Sequence, residues 1–214
     1  MQVRERQREA MLTVEHADDR ACKFSVVSSV ASNLPNALRR SLLNDVGSFA
    51  PVRVVFQENT SCQTDEYIAH RICMIPFRCT LDEAARAAAR SSPTSCPKLY
   101  LDVSDRTAFA SDLEGRGFVH AIDAPIMKMI SEQRIRCEVE FAYGTAADHI
   151  RHSHIGPVAY DYEECKVARR GPTKRTTMSY ETFVENPLVT LDAGLGALEA
   201  HLERALVWVD AQAA

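Results

Sequence analysis

What the sequence lacks narrows its chemistry before any motif is read. Its seven cysteines, Cys22, Cys62, Cys73, Cys79, Cys96, Cys137 and Cys165, are odd in number and include no C-x-x-C pair. A disulfide framework and a closed structural zinc site both need a pairing that this spacing does not offer. There is no G-x-S-x-G elbow and no glycine-rich phosphate loop, so the local geometries that activate a serine or cradle a phosphate are missing. No apolar run approaches the ~18 residues of a membrane helix. The charged stretch Met1–Ala10 has no apolar segment behind it, so neither a signal peptide nor a membrane partner is expected. A basic excess is absent too: 25 Lys and Arg against 29 Asp and Glu leave a net charge of -4, which argues against a protein whose main task is gripping phosphate backbones. Any DNA contact is therefore expected to be indirect. With 46% hydrophobic residues and only 8 Gly and 9 Pro in 214 positions, the chain is no disordered tether. An intracellular, reducing compartment follows, with nucleus, cytoplasm and viral factory all compatible.

What is present reads as a mixed α+β chain, long enough for one large domain or two small ones. Leu12 and Val14, then Phe24, Val26 and Val27, point to a strand hairpin within 11–30. Asn33-Leu34-Pro35-Asn36 is a capping turn, and Leu38, Leu42, Leu43 and Val46 share one face of a helix over 37–46. Arg39 and Arg40, about 100° apart on that helix, both face outward. Val52–Gln57 is strand-like, and Thr64-Asp65-Glu66 opens a helix carrying Ile68 and Ile72 that ends before Pro76. An alanine-rich helix over 81–90 and a strand over 98–103 precede a polar turn region that runs to Gly117 and an apolar cluster at 122–130. Ile135, Cys137, Val139 and Phe141 alternate with Arg134, Arg136, Glu138 and Glu140, which predicts a strand with one buried face. Strands are expected near 158–162 and 178–184, with a basic, turn-prone connection at 169–175. The clearest period comes last. Leu188, Leu191, Leu195, Leu198, Leu202, Leu206 and Val209 recur at spacings of 3 and 4 behind Asn186-Pro187, an apolar stripe on a helix of about six turns. Such a stripe packs either on the chain's own sheet or on a partner helix.

Three constellations invite chemistry. His149, His152 and His154 beside Asp148 form an H-x-x-H-x-H cluster, which opens a metal-dependent hydrolase as an alternative function, although no H-E-x-x-H arrangement or separate fourth ligand accompanies it. Cys79 and Cys96 bracket the alanine-rich helix without the paired neighbours a structural zinc needs. Asp65 and Glu66 are adjacent acids of the kind that complement a helix dipole. No catalytic, metal-binding or cofactor-binding residue emerges, and no small-molecule substrate is implied.

A longer pattern runs through these elements. N-A-L-R-R-S-L-L at 36–43, Glu58-Asn59-Thr60-Ser61, and D-E-Y-I-A-H-R-I-C-M-I-P at 65–76 stand in an order and spacing that resemble the alpha-like RNA polymerase subunits. These comprise bacterial alpha, its archaeal counterpart and the third-largest subunit of eukaryotic polymerases. The family pattern is approximately N-x-L-R-R, an E-N-T-S-like turn, then D-E-F-I-A-H-R-L-G-L-I-P. Gly144–Tyr160 is similar, more weakly, to the family's G-x-x-K-E-H-A-K-W-x-P-V, with Asp148 and His149 at its Glu-His pair, two extra residues before Pro157 and no tryptophan.

The resemblance implies a discontinuous layout: a dimerisation domain of antiparallel strands and two helices from 1–52 and 176–214, with a mostly-β domain inserted over 53–175. It implies a non-catalytic assembly subunit of a DNA-directed RNA polymerase, the phosphoryl transfer belonging to the large subunits. Leu38, Leu42, Leu191, Leu195, Leu198, Leu202 and Leu206 would pair with a smaller alpha-like subunit, forming the base on which two large subunits assemble. Arg39, Arg40, Asp65, Glu66, His70 and Arg71 match positions near the second-largest subunit, with intrachain bracing as their other reading. A homodimeric adaptor unrelated to polymerase is the second alternative. The chain departs from many relatives in lacking cysteine clusters in the insert, in carrying Cys73 where the pattern has glycine, and in having almost no tail beyond the last helix and no separate DNA-binding domain.

Overall fold

The computed structural model describes residues 12–28, 33–92, 95–165 and 173–213. In chain order the first elements are β1 (Leu12–Ala17), β2 (Ala21–Ser28), α1 (Leu34–Asn44), β3 (Ser48–Asn59), α2 (Asp65–Cys73), β4 (Phe77–Cys79) and α3 (Glu83–Ser91). There follow β5 (Leu99–Ser104), β6 (Ala108–Phe109), β7 (Glu114–Gly115), β8 (Phe118–His120), β9 (Pro125–Met127) and β10 (Arg134–Gly144). The chain closes with β11 (Ala159–Cys165), β12 (Thr173–Glu181) and α4 (Pro187–Ala213). Contacts divide it into two compact units, Met1–Val46 with Ile155–Ala214, and Gly47–His154.

The discontinuous unit is an antiparallel sheet in the order β1-β2-β12-β11 with two helices. Alternation places Cys22, Phe24 and Val26 of β2 and Met178 and Tyr180 of β12 on the buried face. Leu38, Leu42 and Val46 of α1 and Leu191 of α4 complete that core. The Tyr180 hydroxyl donates to the Pro187 carbonyl at the entry to α4, and the Asn186 side chain accepts from the Leu188 N–H at 2.9 Å, capping the helix. Asn33, the expected cap of α1, occupies its N-terminus without a side-chain cap bond. The helices meet closely because α4 offers Gly194. Ser41 Oγ donates to the Gly194 carbonyl at 3.0 Å, and a Cβ on Gly194 would lie 2.5 Å from Leu42 Cδ2. Gly194→Val is therefore expected to push α1 off α4 and cost about 1–3 kcal/mol, read as a lowered urea midpoint, whereas Gly196→Ala, with nothing within 4 Å, raises the midpoint through about 0.5–1 kcal/mol of helix propensity.

The contiguous unit is built on the sheet β3-β10-β5-β7, with the ribbons β4-β8 and β6-β9 and the helices α2 and α3. Ile135, Cys137, Val139 and Phe141 are buried as their alternation requires, against Leu99, Leu101 and Val103 of β5 and Ile68 and Ile72 of α2. Phe118 stacks on Phe141 with centroids 4.0 Å apart, and Phe77 meets Phe141 edge-on at 5.1 Å. The solvent face of β10 carries charge pairs. Arg134 grips Asp102 through two 2.8 Å bonds, and the Lys98 ammonium bridges Glu138 and Glu140. Those bonds hold the Asp102 carboxyl below its usual value and raise that of Lys98.

Four local expectations change. The polar region before Gly117 contains β6 and β7, and the apolar cluster at 122–130 contains β9, strands of two or three residues that exist only through distant pairing. Thr173–Arg175 belong to β12 rather than to a turn, and residues 166–172 of the basic connection lie outside the described residues. Helix α4 runs for 27 residues, about seven and a half turns.

Candidate subunit interface

Helix α4 divides its leucine stripe between two fates. Leu191 is buried in the unit's own core and Leu198 packs partly against it, while His201 Nε2 lies 3.2 Å from Asp45 Oδ2 near the C-terminal end of α1. Beyond that point α1 has ended. Eleven residues of α1 span about 16 Å and the 27 of α4 about 40 Å, so among the described residues the last turns of α4 have no helix of their own unit beside them. Leu202, Leu206, Val207, Trp208 and Val209 are there 53–70% exposed, and Leu195 is exposed further back. Sequence periodicity found the leucines but passed over Val207 and Trp208, the chain's single tryptophan. The signal was the unbroken run Ala205–Val209, apolar around the helix rather than along one side.

On α1, Leu38 and Leu42 face inward. Arg39, half-buried, lies 3.4 Å from Asn36 Oδ1 through both Nε and Nη2. Arg40 is exposed.

The Glu58–Ser61 turn is built around Asn59. Its Nδ2 donates to the Gln63 carbonyl at 3.0 Å and to Asp65 Oδ1 at 2.7 Å, while its Oδ1 accepts from Ser61 N–H and Oγ. Thr60 Oγ1 accepts from the Arg134 N–H at 2.7 Å. The turn thereby sets the start of α2, where Asp65 and Glu66 meet the free N–H end of the helix. The Glu66 carboxyl is held below its usual value by its own backbone N–H and the Thr64 hydroxyl. His70 is exposed. Arg71 is spent inside the unit: Nη2 donates to the Pro125 carbonyl at 2.5 Å, and the guanidinium stands 5.9 Å from the Tyr67 ring centroid. Asp65, Glu66 and His70 share α2 as exposed groups, with Arg71 as a brace.

The histidine segment does not assemble a metal site. Among the described residues no three His, Cys, Asp or Glu side chains are grouped to hold an ion. Asp148 accepts from the Thr145 N–H and hydroxyl, and His149 Nδ1 accepts from the Arg151 N–H at 3.1 Å. His152 is buried, its Nδ1 3.0 Å from the Ser48 carbonyl, and Ser48 Oγ donates back to the His152 carbonyl at 2.6 Å. His154, expected as an exposed or hydrogen-bonded loop residue, is instead 3% exposed with neither ring nitrogen hydrogen-bonded. Burial lowers both the His152 and His154 values from 6.5, opposed for His152 by the Ser48 carbonyl and for His154 by the nearby His152 backbone. In both rings burial favours the neutral form.

Because the folded values lie below the unfolded one, this contribution is complete above about pH 6.5. It is lost as the pH falls toward the folded values, where the unfolded chain takes up protons first. The thermal midpoint is expected to be flat between about pH 7 and 8 and to fall below about pH 6. His154→Leu, which breaks no hydrogen bond, should cost little at neutral pH and flatten that fall; an unchanged acid slope in the variant would refute the assignment.

At four buried cysteines the surroundings disfavour the thiolate. Desolvation raises Cys22, Cys73 and Cys96, and pushes Cys137 up to about 12.

These placements can be set beside known proteins. No protein-family model matches the chain. It is 32% identical over 175 residues to the DNA-directed RNA polymerase subunit Rpo3 of Pyrobaculum aerophilum, covering 77% of this chain and 67% of that one. The chain belongs to the Rpo3 family. The Rpo3 subunit of Halobacterium salinarum is 33% identical over 149 residues, covering 68% of this chain and 56% of its own length, and that of Thermococcus kodakarensis is 30% identical over 175 residues. The chain therefore spans a little over half of the Halobacterium relative. Family membership accounts for the joint occurrence of the α1, Asn59-turn and α2 motifs. Among the described residues of this Rpo3-family chain, no helix is long and apolar enough to cross a membrane.

Proposed function

We propose that the chain is a non-catalytic assembly subunit of a multisubunit DNA-directed RNA polymerase, pairing with a smaller alpha-like subunit so that the two large catalytic subunits can assemble on the pair. The observation that carries the pairing is the bare apolar end of α4 in a member of the Rpo3 family. A contiguous exposed apolar patch on an otherwise charged surface marks an interaction site, and tryptophan and leucine on a helix supply the anchors of a helix–helix interface. In this reading the unit Met1–Val46 with Ile155–Ala214 acts as the dimerisation domain and Gly47–His154 as the insert. The pairing surface is Leu195, Leu202 and Leu206, joined by Val207, Trp208 and Val209. Leu38, Leu42 and Leu191 belong to the unit's own core and hold the first half of α4 in place, and Leu198 lies at the border. Arg39 and Arg40 on α1, and Asp65, Glu66 and His70 on α2, which Arg71 holds in place, meet the second-largest subunit. Exposed arginine and carboxylates are suited to such a contact because their bonds are directional.

The test is affinity purification of the full chain from its native cells with mass spectrometry. Two large polymerase subunits and one small alpha-like subunit are expected in stoichiometric amounts. A self-associated chain without them would overturn the reading in favour of a homodimeric adaptor.

A further inference from the structure

Among the described residues, strand β3 is the terminal strand of its sheet and pairs only with β10. Two register shifts in that pairing, at Arg136/Cys137 and at Glu140/Phe141, bracket a regular window in which Arg53, Val54, Val55 and Phe56 oppose Glu140, Val139, Glu138 and Cys137. On one side of the window the carbonyls of Pro51 and Val52 are already taken by the Arg151 guanidinium, at 3.3 and 3.2 Å. Within it, Val54-Val55-Phe56 carries no lysine, proline or inward charge, the devices by which an edge strand is usually blunted. Arg53 is turned to Glu140, 3.5 Å away.

An open groove of about 370 Å³ runs beside this edge, lined by Arg53 to Phe56 and by Asp65, Glu66 and Ala69 of α2. Arg53 is matched to Glu140, whereas Asp65, held only by the neutral Asn59 amide, keeps its negative charge, so the groove wall carries the carboxylates of Asp65 and the exposed Glu66.

We propose that this window is a β-addition site for an extended polypeptide segment in which apolar residues alternate with lysine or arginine. An extended chain satisfies an edge strand's outward N–H and C=O groups, which a helix cannot do. Alternate apolar side chains would cover Val55, and a basic one would reach Glu66. The acid on the groove wall disfavours phosphate, and with it a nucleic acid strand. The site belongs to the contiguous unit and the α4 surface to the discontinuous one. It rests on the assembly reading only in that the natural donor would be a tail or loop of another polymerase subunit.

The test uses the full chain and two capped synthetic octapeptides, one alternating valine with lysine and the other valine with glutamate, read by amide hydrogen exchange. At saturation the lysine peptide is expected to slow exchange within residues 53–56 at least about tenfold, and the glutamate peptide to leave it unchanged. Glu66→Lys should weaken the lysine peptide by about three- to tenfold, with the unfolding midpoint lowered only slightly, because Glu66 also complements the N-terminus of α2. Protection by neither peptide, equal protection by both, or full protection in the free chain would each overturn the proposal. If polymerase subunits fail to copurify while the lysine peptide still docks, the assembly reading falls and this one stands. The opposite pattern sinks only this one.

Discussion

Replacing Leu202 and Leu206 together with aspartate is expected to abolish recovery of the small partner subunit while leaving the chain's own thermal midpoint unchanged. Both side chains are more than half exposed in the isolated chain, so the substitution removes little intrachain packing, and a charge at either position stays in water. In a helix–helix interface the same carboxylates would have to be desolvated without partners, at about 2 kcal/mol or more each. The pair together corresponds to roughly a thousandfold loss of affinity. Leu198 is unsuited to this experiment because it packs partly on the unit's core, and aspartate there would confuse unfolding with lost binding. Partner recovery at wild-type levels from the double variant would show that α4 does not pair.

Phe141→Ala is expected to be the most damaging single substitution in the contiguous unit. Its ring is 1% exposed, stacked on Phe118 and struck edge-on by Phe77, so truncation removes a large buried area and leaves a cavity among rings that cannot all close on it. Truncations of this kind cost about 3–5 kcal/mol, a large part of the whole stability of an ordinary domain. The measurement is the denaturant midpoint, followed by near-ultraviolet circular dichroism to register the aromatic cluster. Phe141→Leu, which keeps most of the volume, should recover much of the loss. A cost below about 1 kcal/mol for the alanine variant would mean that the cluster packs otherwise.

How far the sequence could be read depended on the range of the interaction responsible. The strict alternation along β10 and the leucine period of α4 are local patterns. Each survives because a single face of a single element meets a core, and both elements form where the pattern placed them. The two-residue strands β6 and β7 leave no such mark, since they arise from partners more than ten positions away and have no period of their own. Periodicity also reports that a face is apolar without saying what covers it. For that reason the stripe of α4 read as one surface, although α1 covers Leu191 and ends before Leu202. The seam between Ser41 and Gly194 was hidden likewise, because a glycine within a helix signals a weak helix position before it signals a close approach. At the candidate interface, the α2 acids and arginine were legible from their motif. That Arg71 is bound to the Pro125 carbonyl and that Asp65 is held by Asn59 depended on folding. His154 looked like a polar loop residue because three histidines in six positions carry no apolar pattern, and its burial comes from the tertiary packing around it.

The reciprocal bond pair between Ser48 and His152 has a consequence beyond local stability. These residues stand close to the two ends of the contiguous unit, Gly47 and His154, and their bonds draw its entry and exit together. A unit whose ends are stapled side by side is a cassette. It can be lengthened, shortened or exchanged in the course of evolution, or excised and bridged by a few linker residues, without cutting a strand of the sheet that hosts it.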